Sequence, residues 1–72
     1  MDLLEISQKE RIGREAAAQR LHDIADALAR HNDVEMERNG MHIKVHVPDE
    51  VQLKVELEIE DDETELEIEL TW

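Results

Sequence analysis

The chain has 72 residues, no cysteine, and 20 acidic against 8 basic side chains, which gives a formal net charge of −12. This length holds one domain at most, and neither disulfides nor thiolate-bound metals can support it, so oligomerisation is the expected support. Such a negative charge argues against binding to nucleic acids or to anionic membranes, whose phosphates would repel the protein.

The N-terminal sequence MDLLEISQKER has acids within its apolar stretch and no basic lead, so it is not typical of a signal peptide. No apolar run approaches the roughly 20 residues that span a bilayer. We therefore predict a cytoplasmic protein.

The first predicted elements are a strand and a helix. Alternating apolar and polar residues predict a short strand at about residues 2–8. A helix is predicted over residues 14–30, with Gly13 as its N-cap and Asn32 as a left-handed residue beyond its C-terminus. Its apolar residues recur with a period of 3.6, at Ala17, Leu21, Ile24, Ala25 and Leu28.

Residues 34–45, VEMERNGMHIKV, predict a β-hairpin. The dipeptide Asn39-Gly40 is the strongest short-range signal for a two-residue type I′ turn. This turn pairs apolar with apolar residues on one face and opposite charges on the other, so both patterns agree on one register. The predicted pairs are Val34 with Val45, Met36 with Ile43, Arg38 with Met41, Glu37 with His42 and Glu35 with Lys44.

The C-terminal part predicts two more strands. Residues 47–51, VPDEV, predict a turn, which the fixed φ of proline suits. Apolar and polar residues then alternate along a fourth strand at 51–59 and a fifth at 66–72, joined by the tip DDET at 61–64. Together the elements predict a single α+β domain over residues 1–72, in the order β-α-β-β-β-β. One helix is expected to lie on an antiparallel sheet of about five strands, giving two layers.

Glutamates line one side of the fourth and fifth strands, and we call this side the acidic face. If the strands pair with Ile59 opposite Leu66, glutamates face glutamates directly, which destabilises a sheet. In molar salt the Debye length falls to about 3 Å and screens most of this repulsion, so the face is interpreted as an adaptation to a salty cytoplasm. The predicted facing pairs are Glu60 with Glu65, Glu58 with Glu67 and Glu56 with Glu69.

Two other interpretations of the acidic face remain open. Glutamates two positions apart on a strand lie about 6.6 Å apart, near the spacing of phosphates along a nucleic-acid strand, so the face could imitate nucleic acid towards a basic protein. The acids of residues 61–63 could instead bind Ca²⁺ or Mg²⁺, although no loop has the required ligand spacing.

Residues suited to catalysis or metal binding are few. His42 and His46 lie on one face of a strand but roughly 13 Å apart, so they cannot share an ion, and zinc needs three or four converging ligands. The hydroxyl side chains, Ser7, Thr64 and Thr71, lie in no recognisable nucleophile motif. We predict no metal, no cofactor and no enzymatic activity.

The predicted sheet is wider than its helix. Five strands span roughly 20–24 Å, whereas a helix with its side chains covers about 10–12 Å. Part of the apolar side of the sheet should stay uncovered, and exposed apolar patches mark interfaces. We predict a two-fold homodimer in which Trp72 is either an interface anchor or a cap on its own core. The candidate interface residues are Leu53, Val55, Leu66, Ile68, Leu70 and Trp72.

The segments LHDIADAL at 21–28 and ELEIELTW at 65–72 resemble the small amphi-Trp domains of archaea and bacteria. That family is named for an amphipathic C-terminal strand that ends in tryptophan. The resemblance implies the fold and a habitat among salt-loving archaea, and it implies no particular activity.

These observations favour a non-catalytic, homodimeric structural or protein-binding module adapted to high salt. The alternative is an acidic decoy or adaptor that binds a basic protein through the acidic face. The acidic-face residues are Glu56, Glu58, Glu60, Glu65, Glu67 and Glu69.

Overall fold

A helix and two antiparallel hairpins make up the fold that a computed structural model gives for residues 4–72. The predicted α+β class is confirmed, in the element order α-β-β-β-β. The elements are α1 Arg14–His31, β1 Asp33–Arg38, β2 Met41–His46, β3 Gln52–Ile59 and β4 Thr64–Thr71.

The ends of α1 follow from local signals. The helix begins at Arg14 as predicted, after an extended Gly13 with φ −67° and ψ 152° that provides no side-chain cap. It ends at His31, and Asn32, which follows, has a φ of 55°, the left-handed conformation expected beyond a helix C-terminus. The carbonyl oxygen of Asn32 also accepts a hydrogen bond from the backbone N–H of Val47, at 2.8 Å, which ties the helix end to the end of β2.

The first hairpin, β1–β2, has the predicted register in every pair. Asn39 and Gly40 both have positive φ, 53° and 79°, as a type I′ turn requires. On its polar side Lys44 Nζ lies 3.6 Å from Glu35 Oε1, and His42 Nδ1 lies 3.5 Å from Glu37 Oε2.

The turn at Gly40 allows a stability test with a matched control. A Cβ at Gly40 would meet no atom within 4 Å, so Gly40→Ala adds only the strain of a positive φ, roughly 1–2 kcal/mol. A Cβ at Gly13 also meets open space, and φ there is −67°, so Gly13→Ala is expected to be close to neutral. Urea unfolding of both variants checks this, and equal losses of stability would contradict the assigned turn.

The second hairpin, β3–β4, pairs in a register that differs from the predicted one by two residues. Leu57 faces Leu66 rather than Ile68, and Ile59 faces Thr64 rather than Leu66. The N–H of Glu60 donates to the carbonyl oxygen of Glu63 at 2.8 Å, so hydrogen bonding continues one pair beyond the strand ends. The residues inside this last pair are Asp61 and Asp62, whereas a four-residue tip was predicted. A shift by two keeps every side chain on its predicted face, since side chains alternate with a period of two.

The predicted first strand is wrong over residues 4–8, and the rest of its span, residues 2–3, lies outside the described residues. Side chains rather than backbone groups attach this segment to β1. The Gln8 side chain donates a hydrogen bond to the carbonyl oxygen of Glu37 at 3.0 Å, and the Arg38 guanidinium donates to that of Ser7. A backbone ladder with β1 therefore does not form here.

The predicted single sheet in two layers is also wrong. Within residues 4–72 the hairpins remain two separate two-stranded sheets, and α1 contacts β1 but neither β3 nor β4. The N–H of Val47 donates to Asn32 in the same register as the β1–β2 pairs, and Pro48, which follows, has no N–H to donate. Among the described residues, Val47 is the one apolar side chain that is buried, with 8% of its surface exposed.

Candidate protein-interaction surface

The apolar residues of the second hairpin lie on one side and have no covering layer within the described chain. Leu53 faces Leu70, Val55 faces Ile68, and Leu57 faces Leu66. Leu70 is half-buried, whereas the others are at least half exposed, and Ile59 at the turn end reaches 74%. We call this side the apolar face; its residues are Leu53, Val55, Leu57, Ile59, Leu66, Ile68 and Leu70.

The structure brings the predicted interface residues together along the apolar face and at its open end. Five of the six predicted residues lie on β3 and β4, and Trp72 follows β4 directly. The prediction omitted Leu57 and Ile59 because a helix was expected to cover part of the sheet. Their alternation with Glu56 and Glu58 is the signal that places them on the same face.

Trp72 lies beside a shallow hollow that it lines together with Val51, Gln52 and Thr71. Its side chain is 54% exposed. More than half of the largest apolar side chain in the protein is therefore not covered by the chain itself.

The acidic face lies on the other side of the second hairpin. Glu58 faces Glu65 and Glu56 faces Glu67, so two pairs of glutamates meet directly rather than the predicted three. Glu69 faces Lys54 instead of a glutamate. Of the predicted acidic-face residues, Glu60 lies beyond the end of β3, in the turn.

Lys54 also lies on this face, and it was not among the predicted site residues. Its Nζ lies 3.0 Å from Glu56 Oε2 and 3.8 Å from Glu67 Oε1. A hydrogen bond with Glu56, and then the charges of Glu67 and Glu69, raise the pKa of Lys54 above its ordinary value. Lys54 partly offsets the repulsion between glutamates at this end of the ladder. The repulsion is strongest towards the turn, where no base is present.

Glu58 lies where the acids are densest. A hydrogen bond shared with Glu60, followed by partial desolvation and the charges of Glu65 and Glu67, raises the pKa of Glu58 above its ordinary value of 4.5. The folded hairpin therefore holds a proton on Glu58 more tightly than the unfolded chain does. This residue makes a contribution to stability that is present below pH 4.5 and is lost as the pH rises through the raised pKa.

The raised pKa of Glu58 predicts that the stability of the protein in dilute buffer increases on mild acidification. Acidification from neutral pH through the raised pKa should stabilise the wild-type protein relative to Glu58→Gln, since the variant lacks the titrating group. Urea unfolding of both proteins at a series of pH values measures the difference. Glu50→Gln, which lies outside the strands, serves as the control, and a difference that stays constant with pH would contradict the prediction.

A second apolar surface lies between the helix and the first hairpin. An open groove of about 510 Å³ separates α1 from β1, and its apolar lining comes from Ile24, Ala27, Val34 and Met36. Polar side chains surround this lining, among them Asp23, His31 and Lys44. We call it the α1–β1 groove.

Comparison with known proteins identifies the chain at the level of a family. The sequence profile of the Amphi-Trp domain matches residues 2–72. The chain belongs to the Amphi-Trp domain family. A search of curated proteins and a search of solved structures each gave no match.

In this Amphi-Trp domain two of the histidines have different surroundings. His42 lies between two carboxylates, with Nε2 3.6 Å from Glu35 and Nδ1 3.5 Å from Glu37, while His31 lines the α1–β1 groove. No group of three or more His, Asp or Glu side chains in residues 4–72 is arranged to hold a metal ion. Over the same residues, no helix of the Amphi-Trp domain is long and apolar enough to cross a membrane.

Proposed function

We propose that the protein is a non-catalytic homodimeric module, structural or protein-binding, that works in the salt-rich cytoplasm of an archaeal cell. The observation that carries this proposal is the uncovered apolar face of the second hairpin. Apolar patches of this kind are rare on monomeric proteins and mark contacts with other molecules.

The total surface of the chain supports association. A compact monomer with the mass of this chain, 8.4 kDa, exposes about 4,600 Å², whereas the chain exposes 6999 Å². The radius of gyration of 14.0 Å also exceeds the roughly 11 Å of a compact chain of this length. An isolated chain would thus leave in water a large apolar area that association can bury.

The chemistry of the exposed groups supports a non-catalytic role. Acid–base catalysis uses carboxyl groups whose pKa values are set apart inside a pocket. Glu58, a carboxyl group with a raised pKa, lines a small open hollow of about 50 Å³ whose other lining residues are also glutamates, Glu60, Glu63 and Glu65. Ser7 contributes its backbone carbonyl to the structure by accepting a hydrogen bond from Arg38.

Sedimentation equilibrium at micromolar concentration in molar KCl tests the homodimer. The expected mass is twice the chain mass of 8.4 kDa. The same measurement on Ile68→Asp, which places a charge in the middle of the apolar face, should give the monomer mass. A wild-type protein that sediments as a monomer would contradict the proposed module.

A second candidate function is an acidic decoy or adaptor for a basic protein. The uneven distribution of charge favours it, because residues 47–72 contain eleven acids and only one base, Lys54. A lysine-rich probe peptide should bind the wild-type protein and should bind less well after Glu56→Gln and Glu67→Gln. This candidate ranks second because the molar salt that relieves the acidic face also screens such binding.

A further inference from the structure

The second hairpin makes no contact with the helix or with the first hairpin. β3 and β4 contact each other, and neither contacts α1, β1 or β2. A two-stranded hairpin alone is marginally stable in water, so its apolar face requires a covering surface. The chain supplies one candidate surface of its own, the α1–β1 groove.

The helix side of that groove is also incompletely covered. Ile24, which lines the groove, is 50% exposed, and Leu21, one turn earlier on the apolar stripe of α1, is also 50% exposed. The groove and the apolar face of the second hairpin are therefore both apolar and incompletely covered.

Charge separates the same two parts of the chain. Residues 1–46 contain nine acids and seven Lys or Arg side chains, a net charge of −2. Residues 47–72 contain eleven acids and one lysine, a net charge of −10. The helix and first hairpin thus hold seven of the eight bases, and the second hairpin holds most of the negative charge.

We propose that the α1–β1 groove of one protomer receives the apolar face of the second hairpin of another, and that the contact is reciprocal. This proposal rests on the homodimer proposed above and specifies which surfaces meet. Each protomer then contributes two patches, a groove and a hairpin face, related by one two-fold axis.

The alternative homodimer stacks two apolar faces directly on each other. It would bring two segments of −10 together and would leave both α1–β1 grooves uncovered. The reciprocal contact instead places each −10 segment against the part of the partner that carries most of the bases, which favours it electrostatically.

The exposed area also favours two patches on each protomer. The chain, at 6999 Å², exposes about 2,400 Å² more than a compact monomer of its mass. A standard interface covers about 800 Å² on each partner, so a single contact between hairpin faces would leave most of this excess in water.

Disulfide trapping tests the reciprocal contact, because the chain has no cysteine of its own. Ala27→Cys places a thiol in the α1–β1 groove, and Ile68→Cys places one on the apolar face. Two chains that carry one substitution each, distinguished by mass, are mixed and oxidised, and disulfides are identified by mass spectrometry. Glu69→Cys replaces Ile68→Cys in the control, since its side chain leaves β4 on the opposite side.

The mixed disulfide between Ala27→Cys and Ile68→Cys is expected to exceed the control by at least about tenfold, because docking raises the effective concentration of the two thiols. Val34→Cys offers a second groove position if Ala27→Cys impairs folding. Predominant Ile68→Cys self-linking in a protein of dimer mass would overturn the reciprocal contact and leave the proposed homodimer standing. A dimer without the mixed disulfide would do the same, and a monomer mass would overturn both proposals.

Discussion

Raising KCl from about 0.1 M to about 3 M is expected to increase the thermal unfolding midpoint by roughly 10 °C or more. In dilute buffer Glu58 faces Glu65 and Glu56 faces Glu67 at the short range of cross-strand neighbours, and their repulsion opposes folding. Molar salt shortens the Debye length to about 3 Å and removes most of this repulsion. Circular dichroism across the salt series measures the midpoint.

Two charge variants distinguish the effect of the facing glutamates on the salt response from the effect of net charge. Changing Glu56, Glu58, Glu65 and Glu67 to glutamine should stabilise the protein at low salt and flatten its salt response. The control removes four acids that lie outside the strands, at Glu5, Asp26, Asp49 and Glu50, and should keep most of that response. Equal slopes for the two variants would mean that the facing pairs are not the cause.

Replacing Trp72 with alanine is expected to reduce the stability of the assembled protein by at least about 2 kcal/mol. In the single chain Trp72 is 54% exposed, so truncating it there would remove little buried area. A loss of this size therefore requires that a partner covers the indole. Urea unfolding and sedimentation of the same samples measure stability and assembly together.

Thr71→Ala is the control for Trp72→Ala, since it truncates the much smaller neighbouring side chain, which lines the same hollow. The control should unfold close to the wild-type midpoint. A Trp72→Ala protein that keeps both the wild-type mass and the wild-type stability would show that the indole remains exposed in the assembly.

Local signals account for the parts of the fold that the sequence predicted correctly. The first hairpin has a turn that needs two residues of positive φ, Asn39 and Gly40, and opposite charges that agree with a single register. Gly13 and Asn32 flank the helix, and their backbone conformations suit those positions. Each of these features is decided within a few residues.

The alternation along the second hairpin does not fix its register. Most pairs join apolar to apolar residues or acids to acids whether Ile59 lies opposite Leu66 or opposite Thr64, and the pair of Lys54 with Glu69 is the one charge signal for the observed register. The turn between them contains no Asn-Gly pair to set the loop length. The pattern therefore predicts the faces correctly and leaves a shift of two residues undetermined.

The relation between the hairpins depends on contacts that the alternation of residues does not describe. Within residues 4–72 the two hairpins share no ladder, and no alternation along β2 or β3 indicates this. The candidate interface was therefore only partly predictable. Alternation identifies the apolar face, whereas its full exposure follows from the separation of the two sheets.

Within residues 4–72, β3 and β4 each have one free edge, because the second sheet has two strands. Free edges with alternating Val, Leu and Ile can add strands from other chains and grow into fibrils. Glutamates at every second position along β4 place like charges next to one another whenever a second copy adds in register. The acidic face is therefore expected to protect the protein against aggregation, and removing its charges should accelerate fibril formation even where it stabilises the fold.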